Sequence, residues 1–176
     1  MLRRSGGQED PYQVRNHVFH EVKLLLRSGD ASSLVVDSLC DWARGRDATV
    51  ACFYFDFTAQ KDQSPTNILS SLLKQVVGGL ENIPAKIAQV FRDLEKVIGG
   101  RKLGLGEIVK MLQDTSSSRR TFICIDVLDE CVAEYKVKLL DSLRWVLRKC
   151  PTTRIFLAGR LHIRDEVESI HYTDQG

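Results

Sequence analysis

The sequence predicts an α/β fold, a parallel sheet of about three strands flanked by helices. Three observations lead there. Residues 122–125, Phe-Ile-Cys-Ile, form a run without a polar side chain, which suits a strand buried on both faces of a parallel sheet. Residues 50–57 and 154–158 are two further short runs, the first dense in aromatic and β-branched side chains, as strands are. The segments between these runs are long and repeat apolar residues at helical spacing, so the strands are joined by helical crossovers rather than hairpins.

Residues 1–10 are polar and charged and read as a loose arm that buries nothing. Val14, Val18, Val22, Leu25 and Leu26 then recur at helical spacing, and Ser28-Gly29-Asp30 would stop that helix. A second helix begins near Ser32 and carries Val35, Val36, Leu39, Trp42 and Ala43 on one side, ending around Gly45. The strand over 50–57 and a polar link follow. At Ser64-Pro65 a serine able to cap precedes a proline at the first helical position, and Ile68, Leu69, Leu72, Leu73, Val76 and Val77 supply the apolar stripe.

Pro84 opens another helix with Ile87, Phe91, Leu94 and Ile98, stopped by Gly99-Gly100. A shorter helix presents Leu105, Ile108, Val109 and Leu112, and residues 115–120 form a polar loop leading into the strand over 122–125. Leu139, Leu140, Leu143, Val146 and Leu147 mark the clearest amphipathic helix, with Pro151 just beyond its end. The strand over 154–158 comes next, then a short polar helix over 164–170.

A chain of 176 residues that is 43% hydrophobic and 27% charged fits one ordinary globular domain. Its formal net charge of +2, with no dense Lys/Arg block, argues against nucleic acid and anionic membrane as partners. No run of about 18 apolar residues appears, and the amino terminus lacks the apolar centre of a signal peptide. A cytoplasmic location is therefore expected. The five cysteines, Cys40, Cys52, Cys124, Cys131 and Cys150, are scattered without a C-x-x-C pair and read as reduced core residues.

Chemistry concentrates where the run 122–125 ends, in Asp126-Val127-Leu128-Asp129-Glu130. A carboxylate at the tip of a rigid strand can hold Mg²⁺ against nucleotide phosphates, as in a Walker B segment, and Asp126 has that position. Asp129 and Glu130, slightly further on, are candidates to orient or deprotonate a water; the plainer reading makes them solvated turn residues. Arg160, after residues 154–158 and Gly159, would emerge at the same sheet edge and could read a γ-phosphate bidentately.

The partner such a carboxylate requires, G-x-x-x-x-G-K-[ST], is not in the sequence. Ser28-Gly29-Asp30-Ala31-Ser32-Ser33 has an acid where the lysine belongs, and Gly99-Gly100-Arg101-Lys102 neither follows a strand nor has Ser or Thr after its lysine. His17 and His20 beside Glu21 do not make a zincin pattern and lack a third ligand. His162 and His171 lie in the polar tail, and no G-x-S-x-G elbow exists for nucleophilic hydrolysis.

Taken together, Ser32-Ser33-Leu34-Val35-Val36-Asp37-Ser38-Leu39, Phe53-Tyr54-Phe55-Asp56-Phe57, Asn67-Ile68-Leu69-Ser70-Ser71-Leu72-Leu73, Ile125-Asp126-Val127-Leu128-Asp129-Glu130-Cys131 and Arg154-Ile155-Phe156-Leu157-Ala158-Gly159-Arg160 resemble the NACHT-type, nephrocystin-type amino-terminal domain of fungal STAND P-loop NTPases. That module often precedes ankyrin, WD or TPR repeats. The resemblance implies a P-loop NTPase-like sheet, Mg²⁺ with ATP or GTP as cofactors, Asp126 as metal ligand, Asp129 and Glu130 as water-positioning residues, Arg160 as sensor, and protein partners or self-association. In the family a strand and the Walker A lysine and threonine come before the helix that matches 32–42. Here that strand and loop are expected to be missing, replaced by residues 1–31, and Ala158-Gly159-Arg160-Leu161 stands where the family has Thr-Ser-Arg-Pro or Thr-Gly-Arg-Pro.

These expectations divide the chain into a divergent arm and helix over 1–31, a partial NTPase domain over 32–170 and a tail over 171–176. In the family's sheet order the missing strand would neighbour the one carrying Arg160, which would leave 154–158 with an unpaired edge. The family's last strand and winged-helix segment are likewise not found. The expected function is a partial, degenerate signalling module serving as scaffold or regulator, either with a remodelled amino terminus or from a truncated or mis-spliced gene, with no NTP hydrolysis by this chain. The alternatives are an ATP- or GTP-dependent switch in a longer product, and a Mg²⁺-dependent phosphoesterase using Asp126, Asp129 and Glu130.

Overall fold

A computed structural model describes residues 22–26, 31–96, 103–160 and 167. Four strands, β1 (Val22–Leu26), β2 (Ala48–Tyr54), β3 (Arg120–Asp126) and β4 (Thr153–Gly159), form one sheet in the order β1-β4-β3-β2, with every neighbouring pair parallel. Among the described residues the helices α1 (Ala31–Ala43), α2 (Pro65–Gly78), α3 (Ala85–Lys96), α4 (Leu105–Ser116) and α5 (Ala133–Lys149) supply the connections and layers.

The three strands expected from sequence are all present, and β1 is added to them. Residues 22–26 were expected in a helix, and the strand before α1 was expected to be missing; both expectations are corrected. Val22–Leu26 is a strand that aligns with β4 from Val22↔Ile155 to Leu26↔Gly159. The edge of β4 is therefore paired. Val, Leu and Leu satisfy a helical spacing and a buried strand equally well, and pairing with β4 decides between them.

Alternation along the strands sorts the side chains to two faces. Ala51, Ile123, Ile125, Ile155 and Leu157 join the stripes of α2, α4 and α5 in the main core. All six stripe residues of α2 and all five of α5 are buried there, as their spacing predicts. Ser64 caps α2 by accepting the Asn67 N–H at 3.3 Å, ahead of Pro65. Ile87 of α3 is buried in the same core, whereas the side chains of Phe91 and Leu94 and the site of Ile98 lie outside the described residues.

The opposite face is covered by α1, whose Val35, Val36, Leu39, Trp42 and Ala43 are half-buried while its other described side chains are exposed. Trp42 meets Phe122 edge-on at 5.5 Å between ring centroids, and Phe122 lies 6.2 Å from Phe156. Gly45, at φ +69°, takes the left-handed conformation that ends the helix.

Three boundaries move. β2 stops at Tyr54 rather than running to 57, because the Asp56 carboxylate accepts the Thr58 N–H at 2.8 Å and caps a 3₁₀ turn over Phe57–Asp62. This leaves Phe57 exposed. α4 extends through Thr115 and Ser116, where the sequence predicts a polar loop; the Thr115 hydroxyl donates to the Met111 carbonyl at 2.7 Å and is buried. Of the cysteines expected in the core, Cys40 is exposed and Cys52 half-buried. The helix expected over 164–170 lies outside the described residues except for Val167, which is helical and buried. The four histidines also lie outside them.

Candidate functional site

Asp126 ends β3 at the carboxyl edge of the sheet, where parallel α/β sheets bind ligands. It is 9% exposed, and its Oδ1 accepts the Val127 N–H at 2.8 Å. Its carbonyl accepts the Phe55 N–H at 3.3 Å, which ties the end of β2 to the end of β3. A narrow cleft opens beside the carboxylate between α1 and the sheet edge, lined by Val35, Val36, Tyr54, Cys124, Ile125, Asp126, Phe156 and Ala158. Tyr54 pairs with Asp126 in register. Its phenol is held above its ordinary pKa by burial, then by the neighbouring Cys52 and Asp126.

Val127 follows at φ 57°, ψ 39°, a left-handed conformation that β-branched residues rarely adopt. It reverses the chain into a 3₁₀ turn, Leu128–Glu130, closed by the Glu130 N–H on the Val127 carbonyl at 2.9 Å. Asp129 is thereby aimed at the end of β4. Its Oδ1 accepts the Arg160 N–H at 3.3 Å and its Oδ2 lies 3.3 Å from Arg160 Nε. Glu130 is half-buried, and its carbonyl accepts from Gln60 Nε2 at 3.1 Å, fastening this turn to the one after β2.

The sequence expected Asp126, Asp129, Glu130 and Arg160 at one sheet edge, and the structure brings them there. It also joins Asp129 to Arg160, which sequence spacing does not encode across 31 positions. Tyr54, Gln60, Val35 and Val36 border the same edge and are not among the residues that the sequence motifs single out. Tyr54 had a usable signal, since it ends a strand two residues before the Asp56 cap; Gln60 had none.

One carboxylate suffices for Mg²⁺ that keeps most of its waters and shares phosphate oxygens, so Asp126 fits that ion. Among the described residues no group of three or more His, Cys, Asp or Glu side chains could hold a metal by itself. The triphosphate partner fits less well. Between the end of β1 and the start of α1 stand Arg27-Ser28-Gly29-Asp30, with one glycine and no lysine, and those four residues lie outside the described ones.

The family model described as Nephrocystin 3, N-terminal, matches residues 27–160. No curated protein matches the chain. Among solved structures the fold is similar to the ORC1 protein of Aeropyrum pernix, solved in complex with DNA, at 16% identity and a TM-score of 0.52 over 85% of this chain and 36% of that one. It is also similar to Cdc6p from Pyrobaculum aerophilum, at 12% identity and a TM-score of 0.51 over 87% and 37% of the two chains. At such identities the likeness is one of fold, a P-loop NTPase-like α/β sheet with flanking helices. The chain spans little more than a third of either protein. Among the described residues no helix is long and apolar enough to cross a membrane.

Proposed function

The chain belongs to the Nephrocystin 3, N-terminal family, and from that premise we propose that it is a P-loop NTPase-like signalling module whose phosphate-binding loop has degenerated, so that it serves as a scaffold or regulatory domain rather than turning over nucleotide. The observation that carries this reading is the pairing of β1 with β4. It supports reading the connection from β1 to α1 as the counterpart of the family's phosphate loop, and the sequence of that connection is only Arg27-Ser28-Gly29-Asp30. Without the lysine and the glycine-rich amide nest, a triphosphate loses its main contacts.

In this reading Asp126 is the residue that would hold Mg²⁺, an ion that neutralises phosphate charge when bound. Arg160 is the sensor, and Asp129 holds it in position through its backbone N–H and Nε. Glu130 remains the candidate for orienting a water. Engagement of Asp129 by Arg160 counts against a phosphoesterase in which Asp126, Asp129 and Glu130 act as three metal-facing acids. The functional unit is the domain over 32–170 together with β1, within a cytoplasmic protein that works through protein partners or self-association.

Equilibrium binding of fluorescent ATP and GTP analogues, with and without Mg²⁺, tests the proposal. The expected result is no saturable binding in the low micromolar range by the 176-residue chain. Tight Mg²⁺-dependent binding that Asp126→Ala abolishes would overturn it in favour of a second reading, an ATP- or GTP-dependent switch. That alternative draws support from β1, since the strand the family needs beside β4 is in its place.

A further inference from the structure

Cys52 of β2 and Cys124 of β3 are direct register partners on adjacent parallel strands. Both lie on the face beneath α1, opposite the core face that their neighbours Ala51 and Ile123 supply. From this juxtaposition we infer that Cys52 and Cys124 form an oxidation-sensitive dithiol, a modification site whose reactant class is the hydroperoxides and whose product is a reversible disulfide between the two strands.

Directly opposed residues of neighbouring strands sit about 4.8 Å apart, inside the Cα separation that disulfides span. The two side chains rise nearly parallel from the sheet at about the strand spacing, so closing the bond must bring their Cβ atoms in to the ~3.8 Å that a disulfide requires. A bond made under such strain is readily reduced again, which is the property of regulatory rather than structural disulfides. Cys52 is held for the reaction from behind. The Gln75 side-chain amide binds its N–H at 2.9 Å and its carbonyl at 2.8 Å.

Access differs between the two sulfurs in the order the chemistry needs. Cys52 is half-buried and Cys124 is 5% exposed. The Cys52 thiolate attacks the outer oxygen of the hydroperoxide; an S–O bond forms, the O–O bond breaks, and the alcohol leaves with a proton, giving a sulfenic acid. The Cys124 sulfur then attacks the Cys52 sulfur, an S–S bond forms, the S–O bond breaks, and the hydroxyl leaves as water with the Cys124 proton. Two thiols are oxidised by two electrons, and the peroxide is reduced to alcohol and water. The next pair on the same face is Tyr54↔Asp126, so the bond forms one pleat away from the acidic edge. The inference does not depend on nucleotide binding.

The test uses the whole reduced chain, treated with tert-butyl hydroperoxide, quenched in denaturant with excess iodoacetamide, digested and mapped by mass spectrometry. The expected product is one linked peptide pair containing Cys52 and Cys124, lighter by two hydrogens than the separate thiol peptides. It disappears after dithiothreitol and persists in Cys40→Ser, which removes the exposed thiol of α1. Recovery of Cys52 and Cys124 on separate peptides, whether alkylated or over-oxidised, or linkage of either to Cys40, would overturn the inference. Because the mapping is done on the unsubstituted chain, it does not depend on a cysteine variant folding.

Discussion

The buried carboxylate of Asp129 receives two donors from Arg160, the backbone N–H on Oδ1 at 3.3 Å and Nε beside Oδ2 at 3.3 Å. The two ends are unequally exposed, with the Asp129 side chain at 3% and the Arg160 side chain at 67%. Arg160→Ala removes an exposed guanidinium but leaves the backbone donor, and is expected to lower stability by about 1 kcal/mol or less. Asp129→Ala strips the buried acceptor from both groups and is expected to cost about 1–3 kcal/mol. Urea unfolding of the two variants checks the order, and a larger loss for Arg160→Ala would show that the pair is held from the arginine side.

Two adjacent glycines make a second comparison. A Cβ on Gly79 would lie 2.9 Å from Cγ2 and 3.1 Å from Oγ1 of the buried Thr49, whereas one on Gly78 meets nothing within 4 Å. Gly79→Ala is expected to lose about 1–3 kcal/mol through overpacking. Gly78→Ala is expected to gain about 0.4–1 kcal/mol by restricting the unfolded chain. The same denaturation assay reads both, and Thr49→Ala combined with Gly79→Ala should recover part of the steric loss.

Val127 reverses a familiar ranking. Inside a helix or strand a glycine is worse than an alanine by about 0.5–1 kcal/mol, but a left-handed backbone at φ 57° removes that advantage of alanine. Both substitutions surrender the buried isopropyl group. Thermal or chemical unfolding should find Val127→Gly at least as stable as Val127→Ala; the ordinary order would mean that this backbone turn is unstrained.

Alkaline pH supplies a fourth measurement. Burial pushes the Cys131 thiol from 9.0 up to about 11. Between those values the unfolded chain releases this proton and the folded chain keeps it, so the native state holds more protons and stability falls as pH rises. Below pH 9.0 the contribution is intact. Unfolding curves between pH 9 and pH 11 should therefore slope downward, and Cys131→Ala should flatten part of that slope.

Helical stripes were legible because each is decided within its own segment. Ile68 through Val77 and Leu139 through Leu147 bury the residues their spacing marks. β1 was not, since Val22, Leu25 and Leu26 fit a helical spacing until β4 provides a ladder for them. The end of β2 turned on one local hydrogen bond, from Thr58 to Asp56, which outweighs the aromatic character of Phe57. Asp126, Asp129, Glu130 and Arg160 could be assigned to one edge from strand order and family resemblance, but the Asp129–Arg160 pair arises from how Val127 swings its turn toward β4.

The amide of Gln75, bonded to both backbone groups of Cys52, also acts as a substitute strand. Among the described residues β2 stands at the margin of the sheet, and the outward N–H and C=O at its midpoint are the groups an incoming chain would need for β-augmentation. With those groups occupied, edge-to-edge growth or strand capture on this side would first have to displace a side chain anchored in α2. Any partner strand would therefore meet the least resistance elsewhere than at the middle of this strand.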